Sequence, residues 1–463
     1  MPDLYPWQAA EVDHHALTPK RAIFASPRLG KTLAAIESLR RAVDAHGYDR
    51  GLILAPKVVC PHWATQLEAA GFSVVRGYAK PSADLKVILA NRPAGLLVLN
   101  YDKLGPVINA MLRWRAQAVI ADESHYIKSP TSNRSKATRK VAMQAKWVRL
   151  LTGTPTPNHY GDLWSQMVCV SADRWGTWPA FKNEFLIMDS FFPSRVVGHV
   201  NVDRLQSKLV ADAAFVRRED VFGPDSYQTI VREIDLPEKA YTHYVRLARD
   251  WILDAQDDGE GVIRADHVLK RLVRLQQMAS GYMVDDEGGV HEIHSCKLDA
   301  VAADLSEIVA ADEKAIIFHR FRWEAQKYLE IAKSLTDKVW VINGDTTAAQ
   351  RERVVEEFRR TKHEGIVVVQ TQAGGVGISF AEATHALFVS QSFAYADEQQ
   401  ARDRIYKRGA SRCVTYYRCV GTVDEYIGDA LDNKQNIHDS VRHADREAMA
   451  FGRFRTPRRK ASI

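Results

Sequence analysis

The sequence predicts an α/β protein: two parallel-sheet lobes with helices on both faces, separated by a helical insertion. Two recurring patterns and one break predict it. Short apolar runs rich in β-branched residues recur at Arg21–Ala25, Gly51–Ala55, Gly95–Asn100, Ala116–Ala121 and Trp147–Leu151, and again at Lys314–His319, Lys338–Asn343, Gly365–Gln370, His385–Ser390 and Val414–Val420. Amphipathic stretches such as Thr32–Val43 and Ala348–Arg360 lie between them. Strand–helix alternation of this kind builds parallel sheets buried on both sides. The alternation lapses between about Asn158 and Glu313, where the chain reads as helical and irregular.

A length of 463 residues suits two or three domains. Charged residues make up 26% and hydrophobic residues 46%, an ordinary globular balance that excludes a disordered or fibrous chain. Runs of roughly 18 apolar residues, the length of a membrane span, do not occur. The opening MPDLYPWQAAEVDHH lacks the plan of a secretion signal, so a cytoplasmic protein without a membrane partner is expected. Five dispersed cysteines argue against a disulfide framework, and none shows CxxC spacing for structural zinc. Lys and Arg number 63 against 57 Asp and Glu, a net +6 that hints weakly at an anionic partner. The ending RFRTPRRKASI is basic and is either a solvated tail or one that touches DNA.

The expected organisation is a first lobe over residues 1–157, and the end of that lobe with helical insertion over 158–235. Further insertion or the start of the second lobe follows over 236–313, the second lobe over 314–440, and a basic tail over 441–463. The boundary near Ile234–Pro237 rests on the proline, which interrupts regular structure. Asp285–Val290 reads as an exposed turn. Trp175, Trp178 and the Phe191–Phe192 pair are candidates either for core packing or for contact with DNA or a partner.

Ala25-Ser-Pro-Arg-Leu-Gly-Lys-Thr32 follows a strand and opens a helix. Backbone N–H groups of Arg28, Leu29, Gly30, Lys31 and Thr32 can there offer partial positive charge to phosphates. Lys31 would reach the β- and γ-phosphates of ATP and Thr32 would hold Mg²⁺. Only the second glycine of GxxxxGK[ST] is present; Ala25 stands in place of the first. Ala118-Val-Ile-Ala-Asp-Glu-Ser-His125 ends an apolar strand in two acids. Asp122 would hold Mg²⁺, which prefers carboxylates plus waters, and Glu123 would orient and deprotonate the attacking water. Leu150-Leu-Thr-Gly-Thr-Pro-Thr-Pro-Asn158 ends another strand in hydroxyl residues that can relay the state of a γ-phosphate through hydrogen bonds.

These motifs, in this order, resemble the ATPase motor of helicase superfamily two. Further matches resemble its Swi/Snf-type, chromatin-remodeller-like branch of double-stranded DNA translocases: Leu4-Tyr-Pro-Trp-Gln8, Leu54-Ala-Pro-Lys-Val-Val-Cys-Pro-His-Trp63, Val98-Leu-Asn-Tyr-Asp102 and Phe215-Val-Arg-Arg-Glu-Asp-Val221 in the first half. In the second half they are Lys314-Ala-Ile-Ile-Phe318, Asn343-Gly-Asp-Thr-Thr347 with Gln350-Arg351, Gln370-Thr-Gln-Ala-Gly-Gly-Val-Gly-Ile378, and Asp397 to Gly409. The resemblance spans Leu4 to about Ile427 and implies two RecA-like lobes. It implies that Gln8 reads the adenine edge, and that Arg404 acts as an arginine finger with Arg408 or Lys407 as a second. Lys57, Trp63, Thr371, Gly374 and Gly375 would contact double-stranded DNA, mainly through its phosphate backbone. Lysine lacks the bidentate fork of arginine, so Lys407 departs from the family pattern, as does Ala410 where a glutamine is usual.

The expected activity is a DNA-dependent ATPase translocating along duplex DNA, in a compact prokaryotic or phage-like form, monomeric, with an unidentified protein partner allowed. Two alternatives stay open: a strand-separating helicase on forked or branched DNA, and an ATP-gated DNA clamp with little turnover.

Overall fold

The computed structural model describes residues 4–14, 18–190, 195–223, 227–257, 265–285, 287–372 and 378–442. Contacts divide the chain into two compact units, residues 1–224 rejoined from 434 onward, and residues 225–433.

The first unit is built on seven parallel strands: β1 (Lys20–Ala25), β2 (Arg50–Ala55), β3 (Val74–Arg76), β4 (Gly95–Asn100), β5 (Ala118–Asp122), β6 (Trp147–Thr152) and, after the short antiparallel hairpin β7 (Leu186–Met188) and β8 (Val196–His199), β9 (Ala213–Val216). Their order is β3-β4-β2-β5-β6-β1-β9. Helices cover both faces, which is why Leu52, Ile53 and Leu54, three apolar residues in a row, are all buried. The order seats β6 between β5 and β1, so the turns after these three strands open on the same sheet end.

The second unit carries six parallel strands: β10 (Tyr227–Ile234) and, beyond the antiparallel hairpin β11 (Tyr282–Val284) and β12 (Val290–Glu292), β13 (Lys314–His319), β14 (Val339–Ile342), β15 (Gly365–Gln370), β16 (His385–Phe388) and β17 (Arg412–Cys419). Their order is β10-β17-β16-β13-β15-β14. Ile316, Ile317, Val367 and Val368 at its centre are fully buried. The stretch 158–313 is mostly helical, with helices such as Glu238–Asp257, Ala265–Ala279 and Cys296–Ala310. One boundary needs correction: β10 pairs residue for residue with β17, from Tyr227↔Arg412 to Ile234↔Cys419, so the second sheet begins before Pro237. Four polar residues in YQTIVREI hide this strand from a search for continuous apolar runs; it is an edge strand with six consecutive exposed residues.

Trp175 is core, with its indole N–H donated to Asp212 Oδ2 at 2.7 Å, and Trp178 packs half-buried against Trp164 with ring centroids 5.6 Å apart. Phe191, Phe192 and most of the basic tail lie outside the described residues. Among the described residues no helix is long and apolar enough to cross a membrane.

Helix α1 (Pro6–Asp13) is fastened by buried charge. Glu11 lies with Oε2 3.3 Å from Arg21 Nε on β1 and Oε1 3.6 Å from Arg149 Nε on β6. Arg149 is fully buried, and burial lowers its pKa to about 10 despite Glu11. Neutralising one partner of such a group strands the opposite charge. We expect Glu11→Gln to cost about 3 kcal/mol, read as a lowered urea midpoint of the first unit's unfolding transition.

Candidate functional site

Beyond β1 the chain turns through Ser26–Leu29 and enters helix α2 (Lys31–His46) at Gly30, whose φ of +77° glycine adopts without strain. A side chain there would also meet Gln8 Nε2 at 2.5 Å. Arg28 is exposed, at φ +64°, and Leu29 is buried. Ala25 is an ordinary strand residue paired with Val216, so the position that usually holds the first glycine needs no positive φ in this chain. Lys31 donates through Nζ to the carbonyls of Ala25 at 2.9 Å and Ser26 at 3.3 Å, which points its charge along the inside of the loop. Thr32 follows it in the first turn of α2.

The loop is braced from two sides. Gln8, 1% exposed, donates through Nε2 to the carbonyls of Leu29 and Gly30, each at 3.1 Å, and accepts at Oε1 from Tyr5 N at 2.8 Å. From the opposite side, Val216 O accepts from Ser26 N at 2.9 Å, and Arg218 N donates to Ser26 Oγ at 3.1 Å. The backbone of Val216 and of the buried Arg218 thus buttresses the phosphate loop.

Two acids end β5. Asp122, 7% exposed, accepts from Trp63 Nε1 at Oδ2 (2.7 Å) and from Glu123 N at Oδ1 (3.0 Å). Tyr101 donates its hydroxyl to the Asp122 carbonyl at 2.6 Å. Burial, reinforced by the neighbouring Glu123 charge, lifts Asp122 to about 6, against the pull of the Trp63 hydrogen bond and the Lys31 charge. Glu123 stands at φ +48°, a strained value for a non-glycine residue and a common mark of functional positions. Burial pushes its pKa up, yet the hydrogen bond and charge of His125, the Lys31 charge and the Thr152 hydroxyl outweigh it and hold Glu123 below the usual range. Two adjacent carboxylates, one below and one above its ordinary value, are the pattern of a base beside a cation ligand.

The end of β6 completes the group. Thr152 donates to Glu123 Oε2 at 3.3 Å, and His125 Nδ1 lies 3.0 Å from Thr152 Oγ1 and 3.3 Å from Glu123 Oε2. Thr154 N donates to Thr152 Oγ1 at 3.1 Å. Ser124 donates to Gln166 Oε1 at 2.7 Å, and Gln166 Nε2 donates to the Pro155 carbonyl at 2.8 Å. Gly153 lets this turn approach the loop after β1: an added Cβ would meet Pro27 Cδ at 3.0 Å.

In the second unit, Thr371 donates its N–H and hydroxyl to the His319 carbonyl at 2.9 and 3.2 Å, joining the ends of β15 and β13. Arg404 is 5% exposed in the tight turn Asp403–Ile405, and its carbonyl accepts from Phe380 N at 2.8 Å. Arg412 fastens that turn, through Nε to the Ile405 carbonyl at 3.1 Å and Nη2 to the Ala381 carbonyl at 2.8 Å. Lys407 and Arg408 are exposed. Gly374 and Gly375 lie outside the described residues.

Two family models match this layout, one described as SNF2-related domain over residues 23–250 and one as helicase conserved C-terminal domain over residues 299–409. The chain belongs to the SNF2-related ATPases of helicase superfamily two. A putative ATP-dependent helicase/translocase of Bacillus subtilis is 24% identical over 89% of this chain and 45% of that protein. An uncharacterised ATP-dependent helicase of Mycoplasma pneumoniae is 22% identical over 88% of this chain and 39% of its own length. A bovine DNA annealing helicase and endonuclease is 24% identical over 77% of this chain and 32% of its own. The chain therefore spans less than half the length of these relatives. A Sulfolobus solfataricus SWI2/SNF2 ATPase core solved in complex with dsDNA is 20% identical, covering 96% of this chain and 94% of that one with a TM-score of 0.43.

The structure gathers Gln8, Arg28, Leu29, Gly30, Lys31, Thr32, Asp122 and Glu123 of this SNF2-related ATPase around the turns after β1 and β5. Lys57 is exposed in the turn after β2. Trp63 needs correction as a DNA contact: it is fully buried, and its indole holds Asp122. Sequence reading missed the roles of Tyr101, His125 and Thr152, although each sits in a quoted motif; only tertiary contact joins them.

Trp63→Phe keeps an aromatic ring, though a smaller one, and removes the donor that pulls Asp122 down. Protonation on acidification costs Asp122 its charge, so the acid limb of the ATPase profile should move upward, by roughly one pH unit for a lost hydrogen bond to a charged group. A pH–rate series from 5.5 to 8.5 measures it, and an unmoved limb would detach Asp122 from the reaction.

Proposed function

We propose that this chain is a DNA-dependent ATPase that translocates along double-stranded DNA and remodels DNA or protein–DNA complexes. The observation that carries the reading is the paired carboxylate group: Glu123, held by His125 and Thr152, beside Asp122, held by Trp63, at the same sheet end as the Lys31 loop and one strand removed from it. A site built only to grip a nucleotide has little need of a strained carboxylate kept ionised beside it. The name helicase/translocase carried by the Bacillus subtilis relative agrees.

In this reading the backbone N–H groups from Arg28 to Thr32 bind the phosphates of ATP and Lys31 supports the β- and γ-phosphates. The second lone pair of Gln8 Oε1 is the acceptor offered to the adenine amino group. The raised Asp122, next to a second buried acid, is the electrostatic setting that a divalent cation relieves. Asp122 and Thr32 would hold Mg²⁺, which when bound neutralises phosphate charge. Glu123 orients a water and accepts its proton, and the hydrogen bonds from Thr152 and His125 fix that carboxylate. Arg404, with Arg408 or Lys407, supplies the cation for charge developing on the transferred phosphoryl group; an arginine in this role is worth roughly 10³–10⁵ in rate. Lys57, Thr371, Gly374 and Gly375 grip duplex phosphates, contacts free of sequence readout and so suited to a motor that must let go at each step.

Lys31→Ala and Glu123→Gln should each reduce ATP turnover by at least about 10³ while leaving duplex affinity within a few fold, since neither touches the DNA. Steady-state ATPase and fluorescence anisotropy check the pair; full turnover by Glu123→Gln would remove it from the base role. Turnover should also be stimulated more by duplex than by single strands, and duplex affinity should fall steeply with salt. Equal stimulation by both DNA forms, or by RNA alone, would assign the motor another track.

A further inference from the structure

Away from the nucleotide site, the second unit holds a cysteine whose surroundings are those of an activated thiol. Cys296 is the first residue of helix Cys296–Ala310, where unpaired backbone N–H groups favour negative charge. Its Sγ lies 3.1 Å from His294 Nδ1. The other ring nitrogen of that histidine, Nε2, lies 3.0 Å from the Met278 carbonyl. A carbonyl can only accept, so Nε2 carries the hydrogen, and in the neutral ring Nδ1 is the basic nitrogen turned to the thiol. This is a nucleophile, a base and a third group orienting the base.

A second sulfur is within reach. Cys419, fully buried at the end of β17, donates its thiol to the Ala279 carbonyl at 3.2 Å and belongs to the apolar core cluster against which Cys296 packs. The buried Lys297–Asp424 ion pair lies beside the two sulfurs, with Nζ to Oδ2 at 2.5 Å. The neighbouring Cys419 thiol, then His294 and the Lys297 backbone N–H, bring the Cys296 thiol down against burial, while the same neighbour and burial drive Cys419 up. The other thiols differ: Cys60 and Cys169 are buried and raised to about 12, and Cys413, half-buried like Cys296, is raised by burial.

We propose that Cys296 and Cys419 form a peroxide-oxidisable dithiol, with Cys296 the attacking thiol, His294 its base and Cys419 the resolving thiol. In the first step the Cys296 thiolate attacks one oxygen of a hydroperoxide. An S–O bond forms, the O–O bond breaks, and the departing oxygen takes the proton held by His294 and leaves as water or an alcohol. Sulfur is oxidised to sulfenic acid and the peroxide is reduced. In the second step Cys419 attacks the sulfenic sulfur: the S–S bond forms, the S–O bond breaks, and water leaves with the Cys419 proton. The product ties the start of helix Cys296–Ala310 to the end of β17.

The test uses the intact chain. At neutral pH, with limiting iodoacetamide and peptide mapping, Cys296 should be alkylated at least ~10-fold faster than Cys413, its control of similar exposure. His294→Gln should bring the two rates together. Hydrogen peroxide should then yield a linked Cys296–Cys419 peptide that dithiothreitol reverses. In Cys419→Ser it should leave a sulfenic acid at Cys296 trapped by a 1,3-dione probe. A Cys296 rate no greater than that of Cys413, or peroxide treatment of the wild-type chain without the linked peptide, overturns the proposal.

Discussion

Two carboxylates at adjacent positions, both largely out of water, are the constraint around which the first unit is organised. Asp122 and Glu123 repel each other and lose hydration together, and a pair in that position persists only if its neighbours supply donors and positive charge. The neighbours do so individually. Trp63 and the Glu123 backbone N–H serve Asp122; Thr152 and His125 serve Glu123; Lys31 acts on both through its charge. Residues from four separate stretches of chain are thereby committed to one spot. That commitment explains a buried tryptophan on α3 (Cys60–Ala69) and a histidine two residues past the acid pair.

Strand order makes the commitment feasible. With β6 lying between β5 and β1, the turn Thr152–Thr154 is a neighbour of both the acids and the phosphate loop. Parallel sheets present such loops together at the carboxyl ends of their strands. Close approach imposes its own demand for small residues, met by Gly153 against Pro27 and by Gly30 against Gln8. The loop's rigidity then comes from α1 and β9: Gln8 holds the Leu29 and Gly30 carbonyls, and Val216 with Arg218 holds Ser26. Glu11, on the same helix as Gln8, links that brace to β1 and β6 through Arg21 and Arg149.

The same physics acts at Cys296 with the opposite sign of consequence. There a polar group is aimed by the backbone rather than by a charge network: the Met278 carbonyl selects the tautomer of His294, and the tautomer selects the partner of the thiol. Exposure alone does not distinguish Cys296 from Cys413, since both are half-buried; orientation of the neighbours does. Cysteine chemistry is accordingly invisible in spacing, because His294, Cys296 and Cys419 form no motif.

Legibility in the sequence followed the range of the interaction. Strands buried on both faces showed as apolar runs, and Gly95–Asn100, Lys314–His319 and Gly365–Gln370 begin and end where the runs do. The phosphate loop and the acid pair were equally plain, because local backbone geometry and residue type define them. β3, β9 and β10 escaped: the first two are only 3 and 4 residues long, and β10 is an exposed edge strand whose apolar residues are interrupted by polar pairs. What no local pattern carries is which group faces which across the fold. That Trp63 serves Asp122 rather than DNA, that Gln8 braces the loop, and that Glu11 meets Arg149 were decided only by packing, since burial converts each unpaired donor or charge into a demand that one distant partner satisfies.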